Sequence, residues 1–121
     1  MSEFQISNAI IESANISIEE HGFLSSFLML KFKGYHQGFG GYTLHLPDDW
    51  KHYKADSVVA GHWIMRVMQV AGVSKWSDLV GVSIRVKSLD GRIEGIGNII
   101  DDNWFVPRED FKKICALEEK Q

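Results

Sequence analysis

The sequence QGFGGY at residues 37–42 places three of the chain's eleven glycines within six residues. The residues around it read as a strand, and glycine inside a strand marks a bulge, a bend, or a close approach of another backbone or a ligand. Two interpretations therefore stay open at this point. The stretch is either a structural bulge, or a ligand-facing surface in which Phe39, Gly40 and Gly41 expose backbone N–H groups.

The segments on either side of these glycines predict a meander of three strands. Residues 4–18 are rich in isoleucine and predict a strand, with a bulge or a break where the alternation slips near residues 10–11 and 14–15. Residues 23–32 predict the most apolar strand of the chain. A turn at residues 33–36 leads into the glycine-rich strand, which is expected to run to Leu46.

A helix and a hairpin are predicted after the meander. The helix is expected to begin at Asp56 or Ser57 and to end at Gly72, because apolar residues recur at helical period: Val59, Trp63, Val67 and Val70. Alternation over 80–87, a turn at Asp90-Gly91 and a return strand over 92–100 predict the hairpin. Pro107 is expected to open a last helix over 108–117.

These elements predict the fold class α+β within a single domain, residues 1–121. The expected architecture is an antiparallel sheet, made of a three-stranded meander plus a C-terminal hairpin. One main helix and a short C-terminal helix pack on it.

Composition limits the function classes. The formal net charge is −3, so the chain lacks the basic field typical of proteins that bind nucleic acid polymers. A single cysteine, Cys115, favours a reducing compartment, the cytoplasm. The sequence shows no signal-peptide pattern and no apolar run of membrane-spanning length, so no membrane partner is expected.

The sequence motifs give no indication of catalysis. The five histidines show no metal-ligand spacing, the nucleophile motif G-x-S-x-G is absent, and so are the strict phosphate-binding loops. We therefore expect neither an enzyme, nor a metal, nor a cofactor.

The segment around Trp104 and Phe105 is the strongest candidate for a binding site. Arg108 and Lys112 follow it with i, i+4 spacing on one face of the last predicted helix. Both cations stand near the positive end of the helix dipole, where an anion between them would relieve the repulsion. The competing interpretation is that both aromatics are core and that Arg108 pairs with the acidic residues next to it.

Five blocks of the sequence, taken together in this order, resemble a family of small phage proteins, the anti-Thoeris sponges (Thoeris anti-defence proteins of the first type). The blocks are EHG at 20–22, GFGGY at 38–42, WI with RV at 63–67, VSKW at 73–76 and IGNIIDDNWF at 96–105. The family shows histidine or a similar residue where this chain has Asn98, so the resemblance implies a different ligand preference at that position.

The resemblance implies a phage anti-defence function in the cytoplasm of an infected bacterium. The protein would bind a cyclic ADP-ribose isomer, made by a bacterial TIR-domain enzyme, and hold it without cleaving it. Members of the family form homo-oligomers, dimers or hexamers built from dimers, with sites at subunit boundaries. Some members also hold cyclic oligonucleotides at a separate site.

Such a ligand needs an aromatic face for its adenine, and cations and backbone N–H groups for its phosphates. The predicted ligand-binding set is Phe39, Gly40, Gly41, Arg66, Asn98, Trp104, Phe105, Arg108 and Lys112. Two alternatives remain: a phage inhibitor that docks directly on a host protein in the manner of an anti-CRISPR, and a hydrolase of the cyclic nucleotide.

Overall fold

The fold is an α+β arrangement of one antiparallel sheet and two helices. A computed structural model describes residues 4–18, 24–43 and 53–119. The elements in chain order are β1 (Gln5–Ile18), β2 (Leu24–Phe32), β3 (Tyr35–Thr43), α1 (Tyr53–Ala71), β4 (Ser83–Leu89), β5 (Arg92–Asn98), β6 (Trp104–Phe105) and α2 (Pro107–Glu119), with a 3-10 turn at Trp76–Asp78 before β4.

The six strands form one sheet in the order β3-β2-β1-β4-β5-β6. The meander β1–β2–β3 is present as predicted, and the hairpin β4–β5 adds to the free side of β1. Residues 10–18 of β1 pair with β2, and residues 5–10 pair with β4. The irregularity expected in β1 is a register shift between Ile11 and Ser13, so residues 5–18 remain one strand.

The core lies between one face of the sheet and the two helices. Alternate strand residues supply it, because side chains of a strand point to opposite faces. Its fully buried large side chains come from five strands and α1: Ile11, Leu28, Leu30, Ile84, Ile96, Phe105, Trp63, Val67 and Val70, with Leu79 from the segment before β4. The three α1 members belong to the predicted apolar stripe, which confirms the helical period.

The opposite face of the sheet, called the open face below, carries no helix among the described residues. β1 places large apolar side chains on it: Phe4 and Ile6 are each 52% exposed, and Ile10 is 44% exposed. The neighbouring Phe27 and Met29 of β2 are half-buried. Exposed apolar side chains in a contiguous group are typical of an interaction surface.

The glycine-rich stretch in β3 forms a bulge against the core. Ser26 pairs with Tyr42 and Phe27 pairs with Gly40, so one extra residue is accommodated between them. Gly40 has a φ of +98°, and a Cβ there would lie 2.6 Å from the carbonyl oxygen of Ser26 and 2.9 Å from the ring of Trp63. A side chain is excluded because the helix packs directly on this backbone.

Two predicted chain reversals are confirmed. Gly72 ends α1 with a φ of +78°, and its N–H donates to the carbonyl of Met68. Asp90 and Gly91 both have positive φ in the β4–β5 turn, as a two-residue hairpin requires.

Several predicted boundaries were wrong. Helix α1 begins at Tyr53, before either predicted cap, and α2 runs from Pro107 to Glu119. Strand β5 ends at Asn98 instead of Ile100, because the Asn98 side chain accepts the N–H groups of Ile100 and Asp101 and turns the chain. The end of the third predicted strand, residues 44–46, lies outside the described residues.

Strand β6 was not predicted. Trp104 and Phe105 pair with Gly97 and Ile96, and the N–H of Asn98 donates to the carbonyl of Asn103. A two-residue strand leaves too short a pattern to be recognised in a sequence.

Candidate functional site

A cluster of aromatic and cationic side chains occupies the open face near the β6 edge. The indole ring of Trp104 lies across Gly97, where a Cβ would be 2.6 Å from the ring. The guanidinium carbon of Arg85 is 4.9 Å from the centre of this ring, and Nζ of Lys87 is 4.7 Å from it. Both distances are those of cation–π contacts. We call Phe4, Arg85, Lys87 and Trp104 the Trp104 cluster.

Arg85 is anchored to the loop between β5 and β6. Its Nε donates to the carbonyl of Asn98, and its Nη2 donates to the carbonyl of Asp101 at 2.7 Å and to the Asp102 carboxylate at 3.1 Å. The Asp102 side chain is 89% exposed, so this ion pair is largely solvated. The guanidinium is thereby fixed beside Trp104. Its Nη1 has no hydrogen-bond partner among the described residues and can donate to a further acceptor.

Lys87 is held by aromatic rings instead of by a carboxylate. Its ammonium lies 5.3 Å from the ring of Phe4 and 4.7 Å from that of Trp104. Among the residues that the structure describes, it forms no ion pair. An ammonium between two rings without a counter-charge is suited to bind an anion.

Arg66 and Asn98 position the β5–β6 loop. One Nη of Arg66 donates to the Asn103 side chain and to the carbonyl of Trp104, both at 2.8 Å. The side-chain amide of Asn98 donates to the carbonyl of Val70 in the last turn of α1. Both residues of the predicted set therefore hold the segment that carries Trp104.

Arg108 and Lys112 lie on the exposed side of α2, in its first two turns. Neither forms an ion pair within the described part of the chain, although acidic residues at 109 and 110 follow Arg108 directly. The predicted spacing on one helix face is present, and both cations are accessible to a ligand.

Four other members of the predicted set lie elsewhere. Phe39 is buried and stacks on Trp63, with ring centres 5.1 Å apart. Phe105 is fully buried and meets Trp63 edge-on. Gly40 packs on Trp63, and Gly41 continues β3 beside it. The structure thus brings Arg66 and Asn98 to the loop that carries Trp104, but it puts Phe39 and Phe105 in the core and packs Gly40 against Trp63.

A histidine–aspartate pair joins the two helices. Nε2 of His62 lies 2.6 Å from Oδ2 of Asp110, and both side chains are about one-quarter to one-third exposed. The His62 ring also meets Phe105 edge-on. The pair links α1 to α2 at the helix face of the sheet, whereas the Trp104 ring lies on the open face.

Arg85 and Lys87 were not predicted as site residues, although the alternation of the first hairpin strand places them on one face. Residues 82, 84 and 86 of the predicted hairpin are apolar and alternate with polar ones, so Arg85 and Lys87 had to share the other face. Gly97 then leaves space beside Arg85 for a large ring. No short-range signal brings Phe4 to the same place, since it arrives through the pairing of β1 with β4.

Within residues 4–18, 24–43 and 53–119, no group of three or more histidine, cysteine, aspartate or glutamate residues is arranged to hold a metal ion. No helix of the described chain is long and apolar enough to cross a membrane. The sequence matches no family model, and neither a curated protein sequence nor a solved structure shows significant similarity to it.

Proposed function

We propose that this protein is a phage anti-defence protein that sequesters a cyclic ADP-ribose-type nucleotide without cleaving it and thereby blocks Thoeris-type defence. The site of action is the cytoplasm of the infected bacterium. The sequence blocks shared with the anti-Thoeris sponges motivate the ligand class. The observation that carries the binding claim is the Lys87 ammonium, which lies between two aromatic rings without a carboxylate partner among the described residues.

The Trp104 cluster offers the groups that a phosphorylated adenine nucleotide requires. The exposed part of the Trp104 ring can stack on the base, and such stacking contributes about 1–3 kcal/mol. Lys87 and the Nη1 edge of Arg85 can donate to phosphate oxygens. Arg108 and Lys112, which are exposed in the first two turns of α2, complete the cations of the proposed site.

The functional form in this proposal is a homo-oligomer, a dimer or a hexamer built from dimers. Phe4 and Ile6 expose apolar surface on the open face beside the Trp104 cluster. A second copy covering this part of the open face would bury those two side chains and close the nucleotide site at a subunit boundary. Cyclic oligonucleotides are a second class of ligand for the same oligomer, as in some members of the sponge family.

The experiment that tests this function is ligand release after heating. The purified protein is incubated with the cyclic ADP-ribose isomer, separated from free ligand, and then unfolded by heat. We expect the released nucleotide to be chemically intact and to be present in proportion to the protein. Absence of bound nucleotide before heating would refute the proposal.

Matched variants locate the site in the same assay. Lys87→Gln and Arg108→Ala are each expected to weaken binding about ten- to a hundredfold, since a charge-assisted hydrogen bond contributes roughly 1.5–3 kcal/mol. Lys75→Gln removes one positive charge at an exposed position away from the cluster and serves as the control. Equal affinity in all three variants would exclude this site.

A cyclic-nucleotide hydrolase is the second candidate, and the His62–Asp110 pair favours it. A histidine oriented by a carboxylate is the arrangement that activates a water or a nucleophile. In the release assay this function yields product instead of intact nucleotide, and His62→Gln would abolish that product. A docking inhibitor would take up no nucleotide and would instead bind a host protein through the open face.

A further inference from the structure

A groove with two lysines crosses the open face at the end of the β2–β3 hairpin. It has a volume of about 540 Å³ and lies apart from the Trp104 ring. Its lining combines cationic and polar groups with aliphatic side chains: Lys31 and Lys33, Asn8 and Ser83, Ala9, Ile10, Phe32 and Ile99. Small-molecule sites fall in the same range of volume and have the same mixture of an apolar lining and a few polar groups.

Positive charge is concentrated at one end of this groove. Lys31 is the last residue of β2 that pairs with β1, opposite Ile10, and Lys33 follows in the turn. Both side chains are exposed, and neither forms an ion pair with a residue that the structure describes. Like charges two residues apart repel each other, so an anion bound between them is favoured.

The backbone of β1 adds a hydrogen-bond donor at the same end. The N–H and C=O of Ile11 both bond toward β4, to Val82 and Gly81. Successive residues of a strand direct these groups to opposite edges, so those of Asn8 point away from β4, to the side where the lysines lie. The ladder with β2 starts only at Ile10, and Asn8 therefore has no strand partner on that side within the described chain.

The other end of the groove is aliphatic. Ile10 is 44% exposed and Ile99 is 37% exposed, and Ser83 pairs with Ile10 between them. The ring of Phe32 is stacked on Tyr35 with centres 4.7 Å apart, so it offers little free face to a planar ligand. This lining fits a flexible hydrocarbon chain better than an aromatic base.

From this arrangement we infer that the groove binds an amphipathic organic anion, a carboxylate with an aliphatic chain. The carboxylate lies between Lys31 and Lys33 and accepts the N–H of Asn8. The hydrocarbon chain extends over Ile10 toward Ile99. The site is independent of the nucleotide site, since it uses other residues and needs no aromatic stacking.

The test is a titration of the protein with decanoate below its micelle concentration, followed by amide NMR. We expect saturable shifts at the amides of Asn8, Ile10 and Ser83. 1-Decanol has the same chain without the charge, and inorganic phosphate has charge without the chain. Neither should reproduce these shifts, and a full response to either probe alone would overturn the proposal.

Two sets of variants decide whether the groove holds the ligand. The double variant Lys31→Gln/Lys33→Gln should weaken decanoate binding at least about tenfold, while the control Lys75→Gln/Lys113→Gln, which also removes two exposed charges, should leave it unchanged. Ile99→Ser tests the aliphatic end and should weaken binding without altering the charge. Equal affinities in the groove variants and the control would overturn the proposal, as would shifts confined to other parts of the protein.

Discussion

Alanine at Gly40 and alanine at Gly34 form a matched pair that measures how closely α1 packs on the sheet. Both glycines have positive φ, +98° and +87° respectively, so alanine is strained at both positions. They differ in their surroundings. At Gly34 a Cβ would meet nothing within 4 Å, whereas at Gly40 it would lie 2.6 Å from the Ser26 carbonyl oxygen and 2.9–3.0 Å from two carbons of Trp63.

The magnitudes follow from this difference. Positive φ alone should cost Gly34→Ala about 1–2 kcal/mol in the free energy of unfolding. Gly40→Ala has that cost and a further cost of about 1–3 kcal/mol, because neither the β2 backbone nor the buried Trp63 can move aside freely. With a urea slope of roughly 1–3 kcal/mol per molar, the midpoint of Gly40→Ala should lie about 1 M below that of Gly34→Ala.

The assay is urea unfolding monitored by tryptophan fluorescence at one fixed protomer concentration, because association would shift the midpoint. Trp63 also reports locally, since its ring lies on the substituted position. Equal losses of stability in the two variants would refute the close packing. A Gly40→Ala variant that is stable but binds nucleotide poorly would instead favour a ligand-facing role for this strand.

Three further predictions concern the loop, the open face and the second helix. Asn98→Ala should lower the free energy of unfolding by about 1–3 kcal/mol in urea denaturation, because the carbonyl of Val70 loses its side-chain donor. Asn98→Asp keeps the side-chain oxygen that accepts the N–H of Ile100, so it should restore only the contribution of the turn. Light scattering at micromolar concentration should give at least a dimer for the natural chain and a monomer for Ile6→Lys, whereas a monomeric natural chain would contradict the oligomer. Arg108→Ala/Lys112→Ala should weaken nucleotide binding in calorimetry more than either single change, and it should change the free energy of unfolding by less than about 0.5 kcal/mol, since exposed surface substitutions have small effects on stability.

The elements of the sheet were largely predictable because their signals are local. Alternation in β4 and the Asp90-Gly91 turn specify a hairpin without reference to the rest of the chain. The same holds for the end of α1 at Gly72, which needs only its own last turn. The two-residue strand β6 could not be predicted, since its pairing with β5 depends on how the β5–β6 loop packs.

The candidate site was predictable only in part, because it is assembled from residues near both ends of the chain. Trp104 was recognised from its neighbours in sequence, and the structure places it at an accessible edge. Phe105 has nearly the same sequence neighbours, but its side chain points to the core, since successive residues of a strand face opposite sides of the sheet. Phe4 reaches Lys87 only through long-range strand pairing, which no local pattern contains.

The position of β1 between β2 and β4 has a consequence for the folding kinetics. Strands β1–β2–β3 are consecutive, and so are β4 and β5, so each group can form early with little loss of chain entropy. Pairing of β1 with β4 must close a loop that contains two strands and α1, and this non-local step should limit the folding rate. The bonds of Ile11 to Gly81 and Val82 lie at that junction, so substitutions there should slow folding more than they accelerate unfolding.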